Sequence, residues 1–143
     1  LLVSTCYCLY SLFKIWTPSL LDAKRIILFS PSPHFIIIHC GANDLTDLEL
    51  TGKGLIENVK CSIIRYKALF KNVIIIWSSM LQRRYWHFAP LNAGAIIEQK
   101  RKRVNSVVKN FVIENGGKAI LHENIRASEV SLYRPKSTFP MIQ

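Results

Sequence analysis

The sequence predicts an α/β domain built on a doubly wound parallel sheet, and three observations carry that expectation. Two short, almost uninterrupted apolar runs, Phe35-Ile36-Ile37-Ile38-His39-Cys40 and Val73-Ile74-Ile75-Ile76-Trp77, have the β-branched composition of strands covered on both faces. Each is followed by a segment long enough to hold the helix that a parallel connection requires. A third short run, Lys118 to His122, completes the order strand, helix, strand, helix, strand. With 143 residues there is room for one compact domain around one core.

The elements follow in order. Residues 1–32 form an apolar N-terminal segment to which the sequence assigns no structure; Arg25 to Phe29 is short for a strand, and Ser30-Pro31-Ser32-Pro33 punctuates the chain behind it. The first strand is expected over 34–40 and ends at Gly41. An acidic loop with Asp44, Asp47 and Glu49 leads to a helix over about 53–70, where Leu55, Ile56, Val59, Ile63, Tyr66 and Phe70 share one face. A second strand is expected over 73–78, followed by a loop carrying Arg83, Arg84, Tyr85 and Trp86. The spacing of Ile97, Val104, Val108, Phe111 and Val112 predicts a second helix over 92–115, stopped by Asn115-Gly116-Gly117. The third strand is expected over 118–122. Pro135 and Pro140 prevent a long regular element beyond it.

Composition excludes several classes. Half the chain is apolar, which argues against global disorder. Residues 1–13 carry no charge, and a membrane or signal segment at 1–21 is conceivable on hydropathy alone. Lys14 and Pro18 interrupt it, however, and no basic segment precedes it, so an intracellular placement is favoured. The four cysteines, at 6, 8, 40 and 61, do not form a secreted-type framework. No spacing matches a metal site, because His39 and Cys40 are strand neighbours and point to opposite faces. The formal charge of +10 raises non-specific affinity for polyanions without naming a partner. The basic run Lys100, Arg101, Lys102 and Arg103 is the candidate for nucleic acid. Yet four successive helical residues sweep about 300° of the axis and cannot make one binding face. Arg101 falls beside the apolar stripe and has to snorkel.

Ile37-Ile38-His39-Cys40-Gly41-Ala42-Asn43-Asp44 resembles the Gly-x-Asn-Asp block of the SGNH (GDSL-type) hydrolases and the strand before it. Ile75 to Ser78 is similar to the family's next strand. Lys100-Arg101-Lys102-Arg103-Val104-Asn105 resembles its basic helix with an Arg-x-x-x-Asn pattern. The resemblance runs from Pro33 to Pro135, with 136–143 as a tail, and is nearest to the divergent SGNH-like domains of vertebrate retroelement-related reading frames. It implies a flavodoxin-like sheet and an esterase ancestry needing neither metal nor organic cofactor. It makes Asn43 an oxyanion-hole donor, a role that suits an amide because hydrolysis develops negative charge on the ester oxygen. It makes Gly41 the residue that lets the backbone turn off the strand. For Asp44 an ordinary loop-organising turn is preferred.

The same resemblance exposes gaps. The family's nucleophile is a serine in a Gly-Asp-Ser-like block ending the first strand. Upstream of Gly41 this chain offers Ser4, Ser11, Ser19, Ser30 and Ser32, none of which follows a Gly-Asp pair or closes a convincing strand, and there is no glycine to supply the second oxyanion donor. Behind Leu132-Tyr133-Arg134-Pro135, the family's Asp and His positions hold Lys136 and Phe139. Neither can do general-base work. A substitute site from Ser78 or Ser79 with His122 lacks an evident acidic partner. The sequence therefore reads as a degenerate or truncated SGNH-like domain without catalysis as given. The alternative is a serine esterase whose missing blocks lie in a longer protein. Without a strand ahead of it, Phe35–Cys40 would also leave one sheet edge unpaired, open to self-association.

Overall fold

The computed structural model describes residues 6–11, 33–47, 49–86, 89 and 92–128, with the backbone alone for 6–11. Four parallel strands form one sheet in the order β1 (Cys6–Ser11), β2 (Phe35–Cys40), β3 (Ile74–Ser78) and β4 (Lys118–Ile120). A 3-10 turn (Asp44–Thr46) and helix α1 (Gly52–Leu69) connect β2 to β3, and helix α2 (Gly94–Glu114) connects β3 to β4.

The expected strands and helices are present with small shifts at their ends, and β4 is shorter than expected, so that His122 lies beyond it. The larger departure is β1. It pairs with β2 along its whole length, from Cys6 opposite Phe35 to Ser11 opposite Cys40. The edge expected to be bare on β2 is therefore covered, and the first strand thought missing is present. The sheet stays open, however, and β1 and β4 are its edges. The reason β1 is hard to read is compositional: Cys-Tyr-Cys-Leu-Tyr-Ser holds no β-branched residue, and its register is dictated by the partner strand.

Helices α1 and α2 pack against each other and against one face of the sheet. Ile36, Ile38 and Cys40 of β2 and Ile75 and Trp77 of β3 meet Leu55, Ile56, Val59 and Ile63 of α1 and Ile97, Val104, Val108 and Val112 of α2. Trp77 and Leu55 are fully buried at the centre. The alternate residues Phe35, Ile37 and His39, and Ile74 and Ile76, are only half-buried. Among the described residues no helix covers that second face, and the strand order contains no reversal. Among the described residues both helices thus lie on one side of a parallel sheet.

Local chemistry fixes the element ends. Thr51 caps α1 by accepting from the Gly54 N–H at 3.1 Å. Helix α2 stops in a Schellman motif: Gly116 has φ +76, its N–H donates to Ile113 O at 3.0 Å, and the Gly117 N–H donates to Val112 O at 2.8 Å. A Cβ on Gly117 would lie 2.5 Å from Ile75 O, so glycine is what lets the chain enter β4 so close to β3.

Candidate functional site at the carboxyl edge of the sheet

All the candidate residues that the structure describes gather where β2, β3 and β4 end, the edge at which open α/β sheets bind ligands. At the end of β2, Gly41 turns the backbone with φ +90, and an added Cβ would stand 3.3 Å from the Met80 sulfur. Asn43 follows, exposed and beginning the 3-10 turn. Its backbone oxygen accepts from Thr46 Oγ1 at 2.9 Å, and its side-chain Oδ1 accepts from Arg83 Nη1 at 3.2 Å. A guanidinium has donors only, so the Asn43 carbonyl must face it, and the amide NH2 is directed elsewhere with its protons available. Arg83 is itself set by stacking 5.5 Å from the Trp86 ring.

The loop after Asn43 is organised from α2. The Lys100 ammonium reaches the carbonyl oxygens of Asp44, Leu45, Asp47 and Leu50, at 3.3, 3.3, 3.2 and 2.6 Å. Burial lowers its pKa, against the opposing pull of Asp47 and Asp44. Asp47 makes an Asx turn, accepting from the Glu49 N–H at 3.0 Å. The Asp44 carboxylate is buried behind this loop.

The end of β3 is clamped by the same helix. Asn105 accepts from the Met80 N–H at 2.9 Å and donates to Met80 O at 3.0 Å, while Arg101 Nη1 donates to that oxygen at 2.5 Å. Arg101 is also paired with Glu98 through two hydrogen bonds of 2.8 and 2.6 Å. The Arg-x-x-x-Asn spacing thus has a mechanical meaning: residues four apart share a helix face, and here both hold one peptide group at the strand exit.

These contacts divide the basic run. Lys100 and Arg101 are committed to backbone carbonyls and to Glu98, and only Lys102 and Arg103 are exposed. Half the expected charge is structural.

Across the strands lies a cluster that the sequence indicated only in part. Ser78 Oγ is 2.8 Å from His122 Nε2 and 3.0 Å from His39 Nδ1, and the two rings stand edge to face at 6.1 Å. One hydroxyl can donate to a single ring, so one facing nitrogen is bare and the other protonated and donating. Burial lowers the His39 pKa, and His122 and Arg83 lower it further, against the hydrogen bond that the ring donates to the Ser78 backbone. The Ser78–His122 pairing was foreseeable from strand ends. His39 was missed, because only the β2–β3 register puts it beside a serine 39 residues away. Ser79 stands next to this cluster but does not join it; its N–H donates to Ile120 O at 3.0 Å.

Burial raises the Cys40 pKa to about 12, with Asp44 adding to the effect, which leaves the thiol a small hydrophobe. Among the described residues no group of three metal-ligating side chains converges, and no helix is long and apolar enough to cross a membrane. Lys136 and Phe139 lie outside the described residues, as do Ser4, Ser19, Ser30 and Ser32. Ser11 corrects an expectation: it closes a strand, in register with Cys40 and so next to the Gly41 turn. No family model, no curated protein and no solved structure matches this chain.

Proposed function

We propose that this chain is an SGNH-hydrolase-like domain in degenerate or truncated form, without ester hydrolysis of its own. The observation that carries the reading is the exit of β2. There the Gly41-Ala42-Asn43-Asp44 turn leaves a parallel strand and Arg83 fixes the Asn43 amide with its N–H donors free, the orientation an oxyanion donor needs. The serine placed beside a histidine argues against turnover. Ser78 Oγ sits between two imidazoles, and one of them must donate to it. A lone pair held by an N–H is a weaker nucleophile, whereas an activated serine needs the base only to accept.

The esterase alternative gains one specific observation, Ser11 at the end of β1 beside the Gly41 turn. The two readings separate in one experiment. Purified chain is incubated with short acyl esters and with a serine-directed phosphonate, and labelling is followed by mass spectrometry. The expected result is no turnover above the blank and no label. Stoichiometric label lost in Ser11→Ala would establish the esterase, and label lost in Ser78→Ala would move the site to the two-histidine cluster.

A further inference from the structure

We propose that Asn115, where α2 ends, is a deamidation site that the folded chain holds shut, and that its conversion to aspartate or isoaspartate releases β4. This site is separate from Asn43 and owes nothing to the hydrolase reading. Gly116 follows Asn115, and no other asparagine of the chain precedes a glycine. Without a side chain, glycine leaves its backbone nitrogen open to approach. Once deprotonated, that nitrogen can attack the Asn115 side-chain carbon. The new C–N bond closes a cyclic imide and ammonia leaves. Water then opens the imide at either carbonyl, giving aspartate or isoaspartate. The only co-reactant is water, and Asn115 and Gly116 are both exposed to it.

The helix cap opposes each part of that step. The Gly116 N–H that must lose its proton donates to Ile113 O at 3.0 Å. Asn115 has ψ 21, which turns the Gly116 nitrogen away from the Asn115 side chain. The imide closes only after a large rotation about the bond between them. The side chain is pinned as well, because its Nδ2 donates to Phe111 O at 2.7 Å. From α1, Lys67 Nζ donates to the Asn115 backbone oxygen. Rotation at Asn115 also breaks the bond from the Gly117 N–H to Val112 O. Attack therefore waits for the last turn of α2 to open, a local event that costs less than global unfolding.

The product does not fit back into the cap. A carboxylate at position 115 cannot donate to Phe111 O, and it sits at the negative end of the helix dipole, with Lys67 as its compensation. Isoaspartate also lengthens the backbone by a methylene just before Gly117. There an added Cβ would already stand 2.5 Å from Ile75 O and from Val112 Cγ1, so the chain has no room to shift. The strand that follows is only Lys118–Ile120. Its Ile120 oxygen holds the Ser79 N–H, and it leads into His122, the partner of Ser78. Loosening β4 withdraws His122 from the two-histidine cluster.

The test incubates the full chain at mildly alkaline pH with and without urea. Trypsin releases residues 110–118, and mass spectrometry follows the mass gain of amide-to-acid exchange, with fragment ions separating Asn115 from Asn110. Conversion in urea is expected to outpace conversion of the folded chain by about tenfold or more, a factor set by how seldom the cap opens. Gly116→Ala slows the reaction in urea several-fold, because a side chain then hinders the attacking nitrogen. Lys67→Met removes one exposed tie to the cap and speeds conversion of the folded chain several-fold. Asn115→Asp supplies the aspartate product directly. In it, amide hydrogen exchange at 118–122 is several-fold faster than in the parent chain, while Val59 and Ile63 in the core of α1 are unchanged. Equal conversion with and without urea, or unchanged exchange at 118–122 in Asn115→Asp, would overturn the proposal.

Discussion

The two faces of the sheet obey different rules, although nearly the same residues build them. On the helix side, Ile36, Ile38, Ile75 and Trp77 are sealed by α1 and α2, and the Cys40 thiol among them is held inert by burial. On the other side, Phe35, Ile37, Ile74 and Ile76 stay half-exposed, and the strand ends there carry His39 and Ser78, joined to His122. Packing fixes the first face, and hydrogen-bond geometry governs the second. One sheet therefore separates what holds the domain together from what can respond to its surroundings.

The comparison is tested most severely by adjacent residues of β3 that point to opposite faces. Trp77→Ala is expected to cost about 3–5 kcal/mol, as for other large buried aromatics, measured by denaturant unfolding. Ile76→Ala, one residue away, is expected to cost only about 1–2 kcal/mol, because its side chain is only partly buried. Equal costs would break the contrast and mean that chain beyond the described residues, or a partner, seals the second face as well.

A smaller effect sharpens the same contrast through pH. The fold depresses the His39 pKa, so the unfolded chain takes up a proton before the folded one does. Stability from keeping His39 neutral is fully present above the unperturbed histidine value of about 6.5 and is lost as pH falls through the folded pKa. His39→Gln keeps a hydrogen-bonding side chain but cannot titrate. It should flatten the fall in stability just below neutrality, followed by chemical denaturation at several pH values. An unchanged slope would assign that pH dependence to other groups.

Much of the sealed face was legible in the sequence. The 3.6-residue stripes of α1 and α2 named their buried residues one by one, and the isoleucine runs named β2 and β3. What sequence could not give is whatever depends on register. Ser78 and His122 are 44 residues apart, and Asn43 and Arg83 are 40 apart, so only folding brings them together. The basic run was legible in part: helical geometry already spread its four cations around the axis, but only the fold shows that Lys100 and Arg101 turn inward to backbone oxygens while Lys102 and Arg103 face outward.

Lys100 performs the task that a bound cation performs in many loops, with the difference that it is covalently tethered and cannot be removed by a chelator. Its reactivity therefore reports on the loop it holds. The Lys100 nitrogen is enclosed by four carbonyl oxygens and shielded from an acylating reagent until the loop opens, whereas Lys102 is exposed two residues further on. Brief treatment with an amine-reactive reagent should modify Lys102 early and Lys100 late. The delay between them, read by peptide mass spectrometry, becomes a clock for the opening of residues 44–50, with no probe placed in the loop itself.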